Sequence, residues 1–139
     1  MVEKNVIIVS GGRTGVERAA LNFAIERGID YDRCCDVDRT AADFTPVDTV
    51  DMRVAGSDLT IAFNPGVISP VTGKAVEACV KYEKPLYVIN SEDDFPMVNY
   101  WLDSLMKDGL RINIEGPTEA ECPGVYRRMI RIMCSLFLR

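Results

Sequence analysis

The sequence contains no histidine among its 139 residues. Histidine is the commonest general base and metal ligand in proteins, so its absence excludes a Ser-His or Cys-His dyad. Any catalysis would have to use carboxylates, lysine, tyrosine, cysteine, backbone amides or the ligand itself. The lack of histidine therefore favours a binding protein over an enzyme.

Long apolar runs are also missing from the sequence. No run approaches the roughly 20 residues that a transmembrane helix needs. The opening residues, MVEKN, lack the apolar stretch of a secretory signal. We therefore expect a cytoplasmic protein without a membrane partner. The net charge of −5 argues against a general nucleic-acid-binding surface, and we assign the arginines at 127, 128 and 131 to the solvent-facing side of a helix.

The five cysteines form no C-x-x-C pair and no zinc-like spacing, so we expect no structural metal. Cys79 and Cys134 fit the pattern of small core residues. The adjacent Cys34 and Cys35 lie in a polar segment, where a soft-metal or redox role stays open as the lesser alternative.

The composition, 47% hydrophobic and 27% charged, is that of an ordinary globular chain, which we interpret as one domain spanning residues 1–139. Strand-like apolar runs alternate with amphipathic helical segments. The predicted strands are Val6–Val9, Leu59–Phe63, Leu86–Asn90 and Leu110–Ile114. The predicted helices are Gly15–Arg27, Thr72–Glu83, Phe95–Lys107 and Pro123–Phe137, with a short one at Val50–Ala55. This order predicts an α/β fold with a mainly parallel sheet between two layers of helices, and a long irregular loop over Asp30–Thr49.

The glycine-rich segment Ser10–Gly15, which we call the elbow, follows the first predicted strand. Thr14 and Glu17 have the T-x-x-E spacing of a capping box, so a helix is expected to begin here. A strand, a glycine turn and a helix N-terminus together favour an anion site, with a purely structural turn as the alternative. Hydroxyl and guanidinium groups that could help to hold an oxyanion are present on Ser10, Arg13, Thr14 and Arg18.

Ligands of open α/β sheets bind beyond the carboxyl ends of the strands, and we expect a crevice there between the ends of Val6–Val9 and Leu59–Phe63. Thr72 is a candidate helix cap and Lys74 a candidate phosphate ligand. Glu77 is either a ligand contact or a first-turn acid that favours the helix dipole. Asp58 could cap a turn or bind a ligand hydroxyl.

Another turn follows the last predicted strand, at Gly116-Pro117. Thr118 and Glu121 repeat the T-x-x-E spacing, whereas Pro123 suits the first position of a helix that begins slightly later. Either start aims another helix N-terminus at the same edge of the sheet.

Several motifs resemble those of the putative molybdenum carrier family. Residues 10–21, SGGRTGVERAAL, resemble its opening S-G-G-Q-T-G-A-D-R-A-A-L. Cys35 with residues 39–43, RTAAD, resembles W-C-P-x-G-R-x-A-E-D, and residues 57–61, SDLTI, resemble S-D-G-T-L-I. Residues 115–119, EGPTE, and 123–126, PGVY, resemble G-P-R-E-S and P-G-I-Y. The matching motifs occur in the same order over nearly the whole chain.

The resemblance implies a Rossmann-like fold, related to the lysine-decarboxylase-like nucleotide-binding (SLOG) superfamily, and a role in carrying molybdenum cofactor or molybdate. It implies an oxyanion pocket at Gly11, Gly12, Thr14 and Gly15, supported by Arg18. The full set of expected ligand-binding residues is Ser10, Gly11, Gly12, Arg13, Thr14, Gly15, Arg18, Asp58, Thr72, Gly73, Lys74, Gly116 and Pro117.

Two other functions remain open at the level of sequence. The related phosphoribohydrolases use P-G-G-x-G-T-x-x-E with a catalytic glutamate, and Glu77 would take that role if the chain were a hydrolase or a sensor of nucleotide derivatives. The glycines before Thr72 are replaced here by Pro70 and Val71, which disfavours hydrolysis. A subunit with a decayed pocket is the third possibility. The apolar residues 136–138 hint at a homo-oligomer.

Overall fold

The computed structural model describes residues 5–33 and 48–138, and these form an open parallel sheet with helices on both faces. The strands are β1 (Val6–Val9), β2 (Asp30–Asp32), β3 (Leu59–Phe63), β4 (Leu86–Ile89) and β5 (Leu110–Glu115). The helices are α1 (Val16–Arg27), α2 (Asp48–Ala55), α3 (Pro70–Lys81), α4 (Phe95–Leu105) and α5 (Val125–Phe137), with a short 3-10 turn at Glu92–Asp94. The predicted parallel α/β fold is confirmed.

The strand order is β2-β1-β5-β3-β4, with all four pairings parallel. β5 therefore lies between β1 and β3, pairing Val9 with Asn113 and Ala62 with Glu115. The ends of β1 and β3, between which a crevice was expected, are thus separated by the end of β5. Glu115 and Gly116 occupy that central position.

The core is made of two clusters, one on each face of the sheet. The larger cluster joins the strands to α1, α4 and α5, and includes Phe23, Leu102 and Met129. The smaller joins α2 and α3 through residues such as Val54 and Ala75. β3 is buried along its whole length, as expected for a central strand of a two-sided parallel sheet.

The helix starts differ from those predicted. Gly15, not Thr14, caps α1, without a side-chain hydrogen bond. Ser69 caps α3, and its hydroxyl accepts from the Thr72 amide, so Thr72 lies in the first turn. α5 begins at Val125, which places Pro123 before the Gly124 cap rather than at the first helical position. Thr118 and Glu121 do exchange capping-box hydrogen bonds, at 2.8 and 3.2 Å, but within a turn that precedes the helix.

The apolar residues near the carboxyl terminus face inward. Leu136 and Phe137 belong to the larger core cluster, and only Leu138 of that group is exposed. The packing of the domain therefore accounts for Leu136 and Phe137 without an oligomer. Within residues 5–33 and 48–138, no helix is long and apolar enough to cross a membrane.

Candidate functional site

The elbow links β1 to α1 at the carboxyl edge of the sheet. Gly12 and Gly15 have φ angles of 78° and 84°, which side chains rarely adopt. The Ser10 hydroxyl donates to the Glu17 carbonyl at 2.8 Å and accepts from the Gly12 amide at 3.3 Å. Arg18 Nε donates to the Gly12 carbonyl at 2.8 Å. These bonds fix the turn from both sides.

Close packing explains three of the glycines around the elbow. A Cβ on Gly15 would lie 2.5 Å from the Pro117 carbonyl oxygen. A Cβ on Gly116 would lie 2.6 Å from the Phe63 carbonyl oxygen, and one on Gly11 would lie 2.6 Å from a Glu17 carboxylate oxygen. These three glycines let chain segments of the same molecule approach each other. Gly12 has more room, with its nearest neighbour 3.4 Å away.

Four charged side chains lie beneath the elbow, and we call them the buried charge cluster: Arg13, Glu17, Arg53 and Glu115. The guanidinium of Arg53 forms two hydrogen bonds with the Glu115 carboxylate, at 2.9 and 3.0 Å. It also approaches the Glu17 carboxylate, at 3.8 Å. Arg13 covers the outer side of Glu17 at 3.0 Å and is the only partly exposed member of the four. The cluster therefore connects α1, α2 and β5.

The two carboxylates of this cluster are fully buried and share Arg53. Burial raises the pKa of Glu115 to about 7, because removal from water penalises the ionised form more than Arg53 favours it. The neighbouring Glu17 charge adds to this increase. Glu115 is thus a carboxyl group that can change its protonation state near neutral pH.

Some of the backbone amides in the elbow are used in hydrogen bonds within the protein and others are not. The Arg13 amide already donates to the Glu17 carboxylate at 3.3 Å, and the Val16 amide donates to the Pro117 carbonyl. The amides of Gly11, Thr14 and Gly15 have no acceptor among residues 5–33 and 48–138. Such free amides at a helix N-terminus attract anions.

A cleft of about 560 Å³ opens beside the elbow, between the N-terminal ends of α1 and α5. We call it the rim cleft. It is lined by Thr14, Gly15, Arg18, Glu119, Gly124, Tyr126 and Arg127. Arg18 and Arg127 form no ion pair with any residue in the described ranges. Two cationic side chains therefore border the same cleft as the α1 N-terminus.

Glu119 occupies the N-terminus of α5 on the other side of the rim cleft. Its carboxylate accepts from the amides of Gly124 and Tyr126, and these bonds lower its pKa. The Thr14 hydroxyl meanwhile accepts from the Glu119 amide at 3.4 Å. The α5 terminus thus already holds an internal carboxylate, whereas at the α1 terminus the Glu17 carboxylate accepts from the Arg13 amide and not from the amides of Thr14 and Gly15.

The remaining predicted site residues are dispersed. Thr72 is buried in the first turn of α3, where its hydroxyl bonds to Ser69 at 3.0 Å. Lys74 pairs with Asp51 of α2 at 3.7 Å. Glu77 is exposed on the following turn. None of these three side chains lines the rim cleft.

Asp58 lies at the opposite, amino-terminal end of β3. Its carboxylate accepts from the Arg111 amide at 2.8 Å and approaches Lys107 at 3.6 Å. Its position matches the turn-capping interpretation, and the structure does not bring it near the elbow. Cys34 and Cys35, with the motif over residues 39–43, lie outside the described residues.

A second cleft, of about 640 Å³, lies beside β2 and the carboxyl end of α1. It includes Tyr31, Asp32 and Arg111, and the last two form an ion pair at 2.6 Å. Two of the charged groups of this cleft are therefore paired with each other. Because α/β sheets bind ligands beyond their carboxyl edge, the smaller rim cleft is the stronger candidate.

Arg53 and Arg127 were not among the residues predicted for the site. Arg53 is on the short helix α2, for which the sequence predicted no role in the site, and its side chain is 2% exposed. Arg127 was assigned to the solvent-facing side of α5. It does lie on that side, and the same side borders the rim cleft. Both roles depend on contacts between elements that are distant in the sequence.

A parallel α/β sheet with its glycine turn and cleft at the carboxyl edge is the arrangement of Rossmann-like binding domains. The chain belongs to the circularly permutated YpsA SLOG family, whose model matches residues 8–137. This agrees with the superfamily suggested by the sequence motifs.

One solved structure is similar over almost the whole chain. It is a crystal structure from Syntrophus aciditrophicus named "putative molybdenum carrier protein", with a TM-score of 0.80 and 24% identity. The match covers 98% of this chain and 96% of that one. At this identity the likeness establishes the shared fold. No curated protein matches the chain.

Proposed function

We propose that this protein is a binding protein for a small ligand with a phosphate or other oxyanion group, held at the elbow and in the rim cleft. The observation that carries the proposal is that Thr14 and Gly15, whose amides have no acceptor among the described residues, lie around one cleft with Arg18 and Arg127. Guanidinium groups and helix amides are the donors that oxyanions prefer. The absence of histidine fits binding better than catalysis.

Molybdenum cofactor, or molybdate itself, is the ligand that we propose. The name of the Syntrophus protein and the order of the family motifs support this choice. Molybdenum cofactor carries a phosphate and a molybdenum oxo centre, and both are oxyanion groups suited to the donors around the cleft. The carrier would bind this ligand without converting it.

Arg18 and Arg127 provide the direct test of this proposal. We expect Arg18→Ala and Arg127→Ala each to weaken molybdate binding about tenfold or more, because each removes a charged donor worth about 1.5–3 kcal/mol. Isothermal titration calorimetry measures this. Arg131→Ala is the matched control, since Arg131 is exposed on the same helix but does not line the cleft.

Equal affinity in all three arginine variants would contradict binding in the rim cleft. Gly15 is less suitable for this test, because any side chain there would collide with the backbone near Pro117. Release of base from adenosine monophosphate, lost in Glu77→Gln, would instead support the hydrolase alternative.

A further inference from the structure

Tyr126 closes the rim cleft on the side away from the start of α1. Its hydroxyl accepts a hydrogen bond from Nδ2 of Asn22 at 2.9 Å, so the side chain crosses from α5 to α1. Asn22 lies one helical turn beyond Arg18 on the same side of α1. Arg18 lines the cleft and Asn22 does not. The Tyr126 side chain therefore forms the end wall of the cleft.

This wall is fixed in place before any ligand arrives. The Tyr126 amide donates to the Glu119 carboxylate at 3.0 Å, while the hydroxyl at the other end of the residue is held by Asn22. The side chain is half-buried and packs in part against the larger core cluster. An aromatic side chain that is already held in position loses little conformational entropy when a ligand packs against it.

The rim cleft is larger than an inorganic anion requires. Its volume of about 560 Å³ falls within the range of roughly 300–1,000 Å³ found for sites that enclose whole organic ligands. Molybdate consists of one metal atom and four oxygens, and a phosphate group has a similar size. An anion at the α1 N-terminus would therefore fill only part of the cleft. The remaining volume, toward Tyr126, can hold an organic part of a ligand.

We propose that Tyr126 is the ring-binding residue of the rim cleft. The ligand is a phosphate ester of a planar heterocycle, with its phosphate between the α1 N-terminus, Arg18 and Arg127 and its ring stacked on Tyr126. Stacking on an aromatic side chain favours planar heterocycles in general. This inference rests on the proposed function, because it concerns the same cleft. Within that function it selects molybdenum cofactor over molybdate, since only the cofactor contains a pterin ring.

Two matched phosphate esters test whether the cleft binds a ring. Neopterin monophosphate and glycerol phosphate both carry the phosphate on a three-carbon chain, and only the first carries a pterin ring. We expect neopterin monophosphate to bind the wild-type protein about tenfold more tightly, the usual effect of stacking one heterocycle on an aromatic side chain. Isothermal titration calorimetry measures both affinities. Equal affinities would overturn ring binding in the cleft.

Substitutions of Tyr126 test whether this residue provides the stacking surface. Tyr126→Leu removes the ring and should abolish the preference for neopterin monophosphate, whereas Tyr126→Phe keeps the ring and should retain the preference. Tyr100→Leu is the matched control, because Tyr100 is exposed on α4 and does not line the cleft. A preference that persists in Tyr126→Leu, or that is lost in Tyr126→Phe, would overturn stacking on Tyr126.

NMR of the protein with labelled tyrosine detects the stacked ring directly. A heterocycle stacked on Tyr126 should shift the resonances of its ring protons upfield, and glycerol phosphate should not. Comparison with the spectrum of Tyr126→Phe assigns these resonances. An upfield shift confined to other tyrosines would contradict the proposal. Should Tyr126→Leu fail to fold, this measurement and the wild-type affinities still decide the outcome.

A second pair of ligands distinguishes a pterin from a nucleotide base as the source of the ring. Guanosine monophosphate differs from ribose phosphate by its base, just as neopterin monophosphate differs from glycerol phosphate by its pterin. We expect the pterin to add more affinity than the base does. The reverse order would overturn the assignment to a pterin.

The two proposals fail in different ways. If the wild-type protein binds neither molybdate nor any of the phosphate esters, the proposed function is contradicted, and ring binding falls with it. If molybdate and glycerol phosphate bind but the ring adds no affinity, the proposed function stands and only the role of Tyr126 is rejected.

Discussion

Glycines that were predicted to belong to the same ligand site have different structural roles. Gly116 and Gly73 were both expected to line the ligand site. Gly116 is pressed between the Phe63 carbonyl and Val16, whereas a Cβ on Gly73 would meet only Ile68 at an ordinary 3.7 Å. Gly73 lies within α3, where glycine is unfavourable. The first glycine therefore serves packing, and the second has no steric requirement.

This difference predicts opposite effects of alanine at the two positions. We expect Gly116→Ala to lower the free energy of unfolding by about 2–4 kcal/mol, because backbone atoms of β3 must move. Gly73→Ala should raise it by about 0.5–1 kcal/mol. Urea denaturation measures both. If Gly116→Ala left the free energy of unfolding unchanged, the backbone at the carboxyl edge of the sheet would be able to shift and make room for the side chain.

Predictions from the sequence were correct for residues whose contacts are local in the chain. They were wrong for residues whose partners are distant in the chain. The first helix was predicted to end at Arg27, and it does so, with Gly28 as its cap at a φ angle of 69°. Glu17 was taken as a capping residue, but its side chain turns inward to meet Arg13 and Arg53. A buried arginine such as Arg53 gives no periodic signal, because its partners come from α1 and β5.

Among the elements, strands with continuous apolar sequence were predicted accurately and polar ones were not. β1 and β3 have the expected bounds, whereas β2 was interpreted as part of a loop. The Asp-Tyr-Asp sequence of β2 has no apolar pattern, and it forms a strand through pairing with β1 at the edge of the sheet. Tertiary pairing overrides local preference there.

The start of α3 provides a test at the level of an element. Ser69 is the cap, and its hydroxyl accepts from the Thr72 amide at 3.2 Å. We expect Ser69→Ala to lower the free energy of unfolding by about 1 kcal/mol, the usual effect of losing an N-cap. Ser69→Asp, which keeps an acceptor, is the control. If Thr72→Ser proved more damaging than Ser69→Ala, Ser69 would not be the principal cap.

For the molecule as a whole, two carboxylates respond to pH in opposite directions. Glu92, after β4, forms two hydrogen bonds with Arg128 of α5, at 2.7 and 2.8 Å, and these lower its pKa to about 2. Its contribution to stability is present above the ordinary value of 4.5 and is lost as the pH falls toward about 2. Glu115, with its raised pKa, contributes most below 4.5 and loses its contribution as the pH rises through about 7.

We therefore expect the replacement of either carboxylate by glutamine to reduce one part of the pH dependence of the free energy of unfolding. Glu92→Gln should reduce the acid loss by about 1 kcal/mol, a modest amount because the pair is partly exposed to solvent. Glu115→Gln should reduce the loss between about pH 5 and about pH 8 by about 1 kcal/mol or more. Chemical denaturation over a pH series measures both. If Glu115→Gln lost as much stability between about pH 5 and about pH 8 as the wild type does, the buried location of the Glu115 carboxylate would be contradicted.

The central place of β5 has a consequence for how the chain acquires its structure. β5 is the last of the five strands to be synthesised, yet it joins the β2-β1 pair to the β3-β4 pair. Until residues 110–115 leave the ribosome, the two strand pairs have no partner through which to form one sheet. The complete sheet should therefore form only after β5 has emerged, and until then the apolar edges of β1 and β3 should be open to chaperones in the nascent chain.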